Sequence, residues 1–240
     1  MLWFLIAGSR SFPPVYILAG LCLALLITSP ASAQVAPTEA ELRAYGGLHA
    51  AAVRGDVVDI EKRVAAGENK EVTDARGRTP LHVAVYQKRY DAARVLIRLG
   101  ADPNKLEIDR YDIVTIAAVA NDVPMLKIAL EGGGNPAAVT SRYDGTALIA
   151  AAHLGHADVV RMLIAAGAPL DHVNNLKWTA LIESIVLGDG GNNHTETLRA
   201  LVGAGASVNI ADGQGSTPLD LARSRGYREM VGILEKSGAK

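Results

Sequence analysis

A chain of 240 residues that is 49% apolar can bury a substantial core, which excludes disorder for most of its length. Aromatic residues make up only 5%, and the apolar content is mainly Ala, Leu, Val and Ile, which suits thin layers of closely packed helices better than a thick sheet sandwich. With 24 basic against 25 acidic residues the formal net charge is -1, so the chain lacks the general attraction that phosphate neutralisation gives nucleic-acid binders.

The first element is a signal peptide. MLWFLIAGSRSFPP carries positive charge at Arg10, the apolar run from Val15 to Ile27 follows, and Ala31 and Ala33 supply a small-x-small pattern that places cleavage between Ala33 and Gln34. As a helix that run spans roughly 20 Å, short of the roughly 30 Å hydrocarbon core, so removal is favoured over retention as an anchor. Cys22 is the only cysteine and falls inside the run after Leu21, where a lipoprotein signal would need a small residue before it. The mature chain then has no thiol, which fits export to an oxidising compartment, periplasmic or secreted. Residues 34–41 read as a linker.

From Leu42 onward the chain repeats. The apolar residue that opens a small-residue helix recurs at Leu48, Leu81, Val114, Leu148, Leu181 and Leu219. The intervals are 33, 33, 34, 33 and 38 residues. A glycine follows each of these by 19 residues at Gly67, Gly100, Gly133, Gly167 and Gly238, and Gly205 is displaced by five in the fifth unit, so one insertion accounts for both irregular spacings. Each unit predicts a short first helix, a turn at Gly55, Lys88, Asn121, Gly155, Gly188 or Gly226, and a second helix with apolar residues at helical spacing such as Val159, Val160, Leu163 and Ile164. The closing glycine is expected in the left-handed conformation. Six units follow, at 42–73, 74–106, 107–140, 141–173, 174–211 and 212–240. No single unit can bury both its helices, so stability must come from stacking.

GRTPLHVAV from Gly77 and RVLIRLGADPN from Arg94, repeated as DGTALIAAAHLGHADVVRMLIAAGAPL and GSTPLDLARSRGYREMVGILEKSGA, resemble the ankyrin repeat. LHAAAVRGDVVDIEKRVAAG and VTIAAVANDVPMLKIALEGGG are weaker copies. The resemblance implies an all-α solenoid of stacked helix-turn-helix units with short β-hairpin tips, working as a monomer that binds another protein. Two departures stand out. The third unit has Asp112, Ile113, Val114 and Thr115 in place of TPLH, with Pro124 in a first helical turn where proline is tolerated. GDGGNNHTE, from Gly188 to Glu196, reads as a flexible loop between the helices of the fifth unit.

Catalytic and cofactor chemistry finds little support. His49 and His82 occupy the motif histidine, for which the resemblance implies a structural hydrogen bond to neighbouring backbone. His153 with His156, and His194 with Asp189 and Glu196, are too few ligands for a zinc site. No nucleophile elbow, phosphate loop or zinc-protease helix occurs, and the glycines from Gly132 to Gly134 close a helix where a phosphate cradle would have to open one. Neither a catalytic residue, a metal nor a cofactor is assigned; a hydrolase or metal-dependent enzyme acting through His153 or His194 is the reading of another class.

The resemblance places partner binding on the concave surface of hairpin tips and first helices. The candidate protein-binding residues are Arg76, Arg78, Arg110, Tyr111, Arg142, Tyr143 and Trp178 at the tips, with Tyr86 and His153 on the first helices. Arg, Tyr and Trp dominate interface energies because they bury large area with few torsions and still offer a donor. Their alignment predicts a basic surface suited to an acidic or aromatic patch on an exported protein. The bound protein would be stabilised by the association or, in the alternative, inhibited, as by an immunity protein guarding against a secreted toxin.

Overall fold

The structure, a computed structural model, describes residues 34–240, and the predicted signal segment lies outside the described residues. Thirteen helices follow: α1 (Glu39–Ala44), then six pairs, α2 (Gly47–Arg54) with α3 (Val57–Ala65), α4 (Pro80–Tyr86) with α5 (Tyr90–Arg98), α6 (Ile113–Val119) with α7 (Val123–Glu131), α8 (Ala147–His153) with α9 (Ala157–Ala165), α10 (Ala180–Val186) with α11 (Asn192–Gly203), and α12 (Pro218–Ser224) with α13 (Arg228–Lys236). First helices pack on first helices of the next unit and second on second, which makes the stacked solenoid. None of these helices is long and apolar enough to cross a membrane.

Local chemistry sets where each helix begins. Thr79, Asp112, Thr146, Thr179 and Thr217 each accept a hydrogen bond from the backbone N–H three residues on, satisfying one of the donors a helix start leaves free. Asp112 therefore does in the third unit what threonine does elsewhere. The first unit has Gly46 at this position, and there Glu68 accepts from the Leu48 N–H at 2.7 Å. Pro124 stands in the first turn of α7, as predicted. Each second helix ends at a glycine with φ between +83° and +94°, where a Cβ would strain the backbone.

The recurrent series Leu48, Leu81, Val114, Leu148, Leu181 and Leu219 lies between 0% and 2% exposed, so it forms the spine of the core between units. His82 accepts from the Thr79 N–H at its Nδ1 (3.2 Å) and donates from Nε2 to the Lys105 carbonyl (3.0 Å), which fixes a neutral ring. Burial lowers its pKa to about 4. His49 likewise bonds the Arg78 carbonyl at 2.8 Å.

The hairpin tips are short: most are tight turns, and among the described residues β1 (Val139–Thr140) and β2 (Gly145–Thr146) pair as strands. Two expectations need correction. The residues read as a linker, 34–41, are helical from Glu39, where Thr38 and Glu41 make a reciprocal capping box that starts α1. The segment from Gly188 to Glu196 is not a flexible loop. From Asn192 it is helical and lengthens α11 to 12 residues, where the other second helices have nine. His194 reaches from this added turn to Asp189 Oδ1 and to the His153 carbonyl, both at 3.0 Å, and Tyr227 donates its hydroxyl to the Gly188 carbonyl at 2.9 Å. The glycines are required by close packing, since a Cβ at Gly190 would overlap the Tyr227 ring and one at Gly188 would meet the Ser184 carbonyl.

Candidate protein-binding surface

The tips form one connected edge. Within each, the backbone closes on itself, as from Asp74 N–H to the Arg78 carbonyl, Glu107 to Tyr111, Asn174 to Trp178 and Asp212 to Ser216. Between tips, Ile108 N–H donates to the Arg76 carbonyl, Ser141 to Arg110 and Asn175 to Tyr143, each at 2.9 to 3.0 Å. These bonds hold side chains of successive units beside one another on a backbone whose polar groups are already satisfied.

The predicted residues divide into two groups. Tyr143 is 43% exposed, Arg110 and Arg142 are exposed, Arg76, Tyr86 and Trp178 are partly buried, and the His153 side chain retains some exposure beside Glu183. Arg78 and Tyr111 do not belong on an open surface. Arg78 is fully buried, with Nε on Asp74 (2.7 Å), one terminal nitrogen on Glu41 (2.6 Å) and the other on the Val35 carbonyl (3.1 Å). Tyr111 is only 7% exposed and packs into the core cluster.

The expected basic character is also corrected. Asp109 accepts from Arg76 at 2.8 Å and from Arg142 at 3.0 Å, and Asp144 pairs with Arg110 at 3.2 Å. Each of these arginines thus stands against a tip carboxylate. What sequence reasoning missed is apolar exposure on the same edge: Ile108 is 64% exposed and Leu176 44%, with Val72, Leu106, Val139 and Val173 beside them in their own tips. The signal was present in the sequence as aliphatic residues at turn positions usually filled by polar ones.

On the first-helix side, Glu183 is buried with one carboxyl oxygen accepting from Asn174 Nδ2 (2.9 Å) and the other 3.5 Å from His153 Nδ1. Burial raises the Glu183 pKa to about 7 and lowers that of His153. The Glu183 carboxylate is sealed from solvent, whereas the His153 side chain is not. His194 has both ring nitrogens occupied by Asp189 and the His153 carbonyl, and Glu196 faces Arg199 and Arg161. Those three residues are spent on holding the added turn.

Profiles of ankyrin repeats match this chain over residues 20–107 and 114–190, described as three copies, and over 190–234, described as many copies. An ankyrin repeat protein of Escherichia coli (strain K12), YahD, is 33% identical over 190 residues, which are 79% of this chain and 94% of that protein. The crystal structure of an ankyrin repeat domain from Acinetobacter baumannii AYE superposes with a TM-score of 0.77 at 41% identity, covering 80% of this chain and 98% of that one. The ankyrin repeat domain of Bcl-3, a member of the IkappaB protein family, gives 0.73 at 26% identity, covering 82% and 88%.

Proposed function

The chain belongs to the ankyrin-repeat family, and on that premise we propose that it is a non-catalytic binding module whose protein partner docks along the hairpin tips of the second to fifth units. Ankyrin repeats generally mediate protein–protein interaction. The observation that carries this reading is the connected edge of tips that exposes Ile108, Tyr143 and Leu176 among arginines already paired with acids. An apolar and aromatic centre with a charge-balanced rim is the composition of a protein interface. The partner surface it suits is apolar or aromatic with mixed charge at its margin, in place of the acidic patch that the sequence suggested.

The first 33 residues support a place in the cell envelope, with an exported partner. In the test, tagged protein and its Tyr143→Ala and Trp178→Ala variants are used to capture partners from cell-envelope extract. A partner retained by the parent and weakened about thirtyfold by either substitution, a loss of about 2 kcal/mol, supports the reading. Retention unchanged by both, with the fold intact by circular dichroism, rejects it. The activity of the captured protein then separates stabilisation, in which it rises, from inhibition, in which it falls.

A further inference from the structure

Residues 34–41 run over the second and third units and bury the side chain that should be the strongest anchor there. Gln34 donates from Nε2 to the Thr115 carbonyl on α6 at 2.9 Å, 81 residues away in sequence. Val35 offers its carbonyl, and Glu41 its carboxylate, to the two terminal nitrogens of Arg78. Pro37 is buried. A guanidinium presents a fixed fork of donors, and here the fork is filled on one side by a carbonyl and on the other by a carboxylate six residues further along the chain.

Pro37 is the one buried residue of this covering segment. α1 buries none of its own residues, and a six-residue helix has no stability without packing. In the same two units, Tyr86 Oη and Glu107 Oε2 are buried without a hydrogen-bond partner among the described residues. The segment thus satisfies Arg78, while these two polar groups of the same units stay unpaired.

We infer that residues 34–41 are a built-in competitor occupying a peptide site over the second and third units, and that the site's outside ligand is an acidic peptide segment of a partner protein. Its carboxylate replaces Glu41 on Arg78, and a backbone carbonyl replaces that of Val35. The inference rests on the reading of this array as a binding module and adds to it a second contact, distinct from the tips, that opens only when the chain's own segment leaves.

The test uses a fluorescein-labelled peptide with the sequence of residues 34–45, titrated into the intact protein and into the Glu41→Lys variant. The variant sets like charge against Arg78 and leaves every other residue of the site in place. At least tenfold tighter binding to the variant is expected, lost again when the peptide itself carries lysine at the position of Glu41 and weakened by salt. Should Glu41→Lys fail to fold, the milder pair Gln34→Ala with Glu41→Gln serves in its place. Equal binding to parent and variant, or binding to neither, overturns the inference. No outside partner enters this assay, so its failure leaves the tip surface untouched, and failure of the envelope capture leaves this result untouched.

Discussion

At Glu183 a carboxyl group is buried on the first helix of the fifth unit with one oxygen bonded to Asn174 and the other turned to His153. Its pKa is raised from 4.5 to about 7 in the folded chain, so folding takes up a proton between those values. The stability this contributes is complete below pH 4.5 and is lost as pH rises through 7, a change of about 3 kcal/mol at full ionisation. His82 has the opposite sign. Its pKa falls from 6.5 to about 4, so its contribution is complete above pH 6.5 and is lost as pH falls through 4. Over the shared window these two contributions oppose each other. Glu183→Gln should break that balance: its amide can still accept from Asn174 and can donate to His153, so the variant should be up to about 3 kcal/mol more stable at pH 8 and should show a rising slope from pH 4 to 6.5. Urea titrations at pH 4, 6 and 8 measure this, and a parent-like profile would refute it. The motif histidine was legible because the TPLH pattern implies its bonds, whereas Glu183 stands at a position where the other units carry apolar or small residues and gave no chemical signal of its depth.

At the scale of single elements, the inserted turn shows how composition misleads. Gly188, Gly190 and Gly191 read as flexibility, but Gly190 has φ +69° and lies against the Tyr227 ring, so glycine is demanded by geometry on both counts. Gly190→Ala should cost roughly 2 to 4 kcal/mol, combining the left-handed penalty for a Cβ with overpacking. Gly203→Ala is the control, since a Cβ there meets nothing within 4 Å and helix propensity alone should make the change neutral or stabilising. Thermal melts of the two variants separate these outcomes; equal melting temperatures would mean the insertion is loose after all. The other element that escaped prediction, α1, carried its own signature in Thr38 and Glu41, the spacing of a capping box. It was overlooked because the residues after it offer no apolar face, and indeed it buries none.

For the molecule as a whole, the helices of each unit pack on those of the adjacent units, so stability is approximately a sum of unit and interface contributions and depends on where along the array a change is made. This much was readable from the 33-residue spacing, because a repeat that long fixes which residues face the next copy. The surface was less readable, since exposure at a tip depends on what lies over it: Arg78 occupies a binding position by sequence and is buried by a segment that precedes it by 37 residues. Position in the array makes the last prediction. Leu148 and Met230 are both fully buried, but α8 is packed between α6 and α10 whereas α13 closes the end of the stack. Leu148→Ala should cost roughly 2 to 5 kcal/mol through lost transfer energy and a residual cavity. Because it weakens the middle, the units on either side should lose their coupling and unfold in separate steps. Met230→Ala should instead lower the local stability of the last unit alone, so that amides of α12 and α13 exchange with solvent well before those of α4 to α9, whose protection stays at the parental level. Hydrogen exchange resolved by unit reads both cases. If Met230→Ala lowers protection evenly along the chain, the array is behaving as one cooperative body and the nearest-neighbour description of its stability fails.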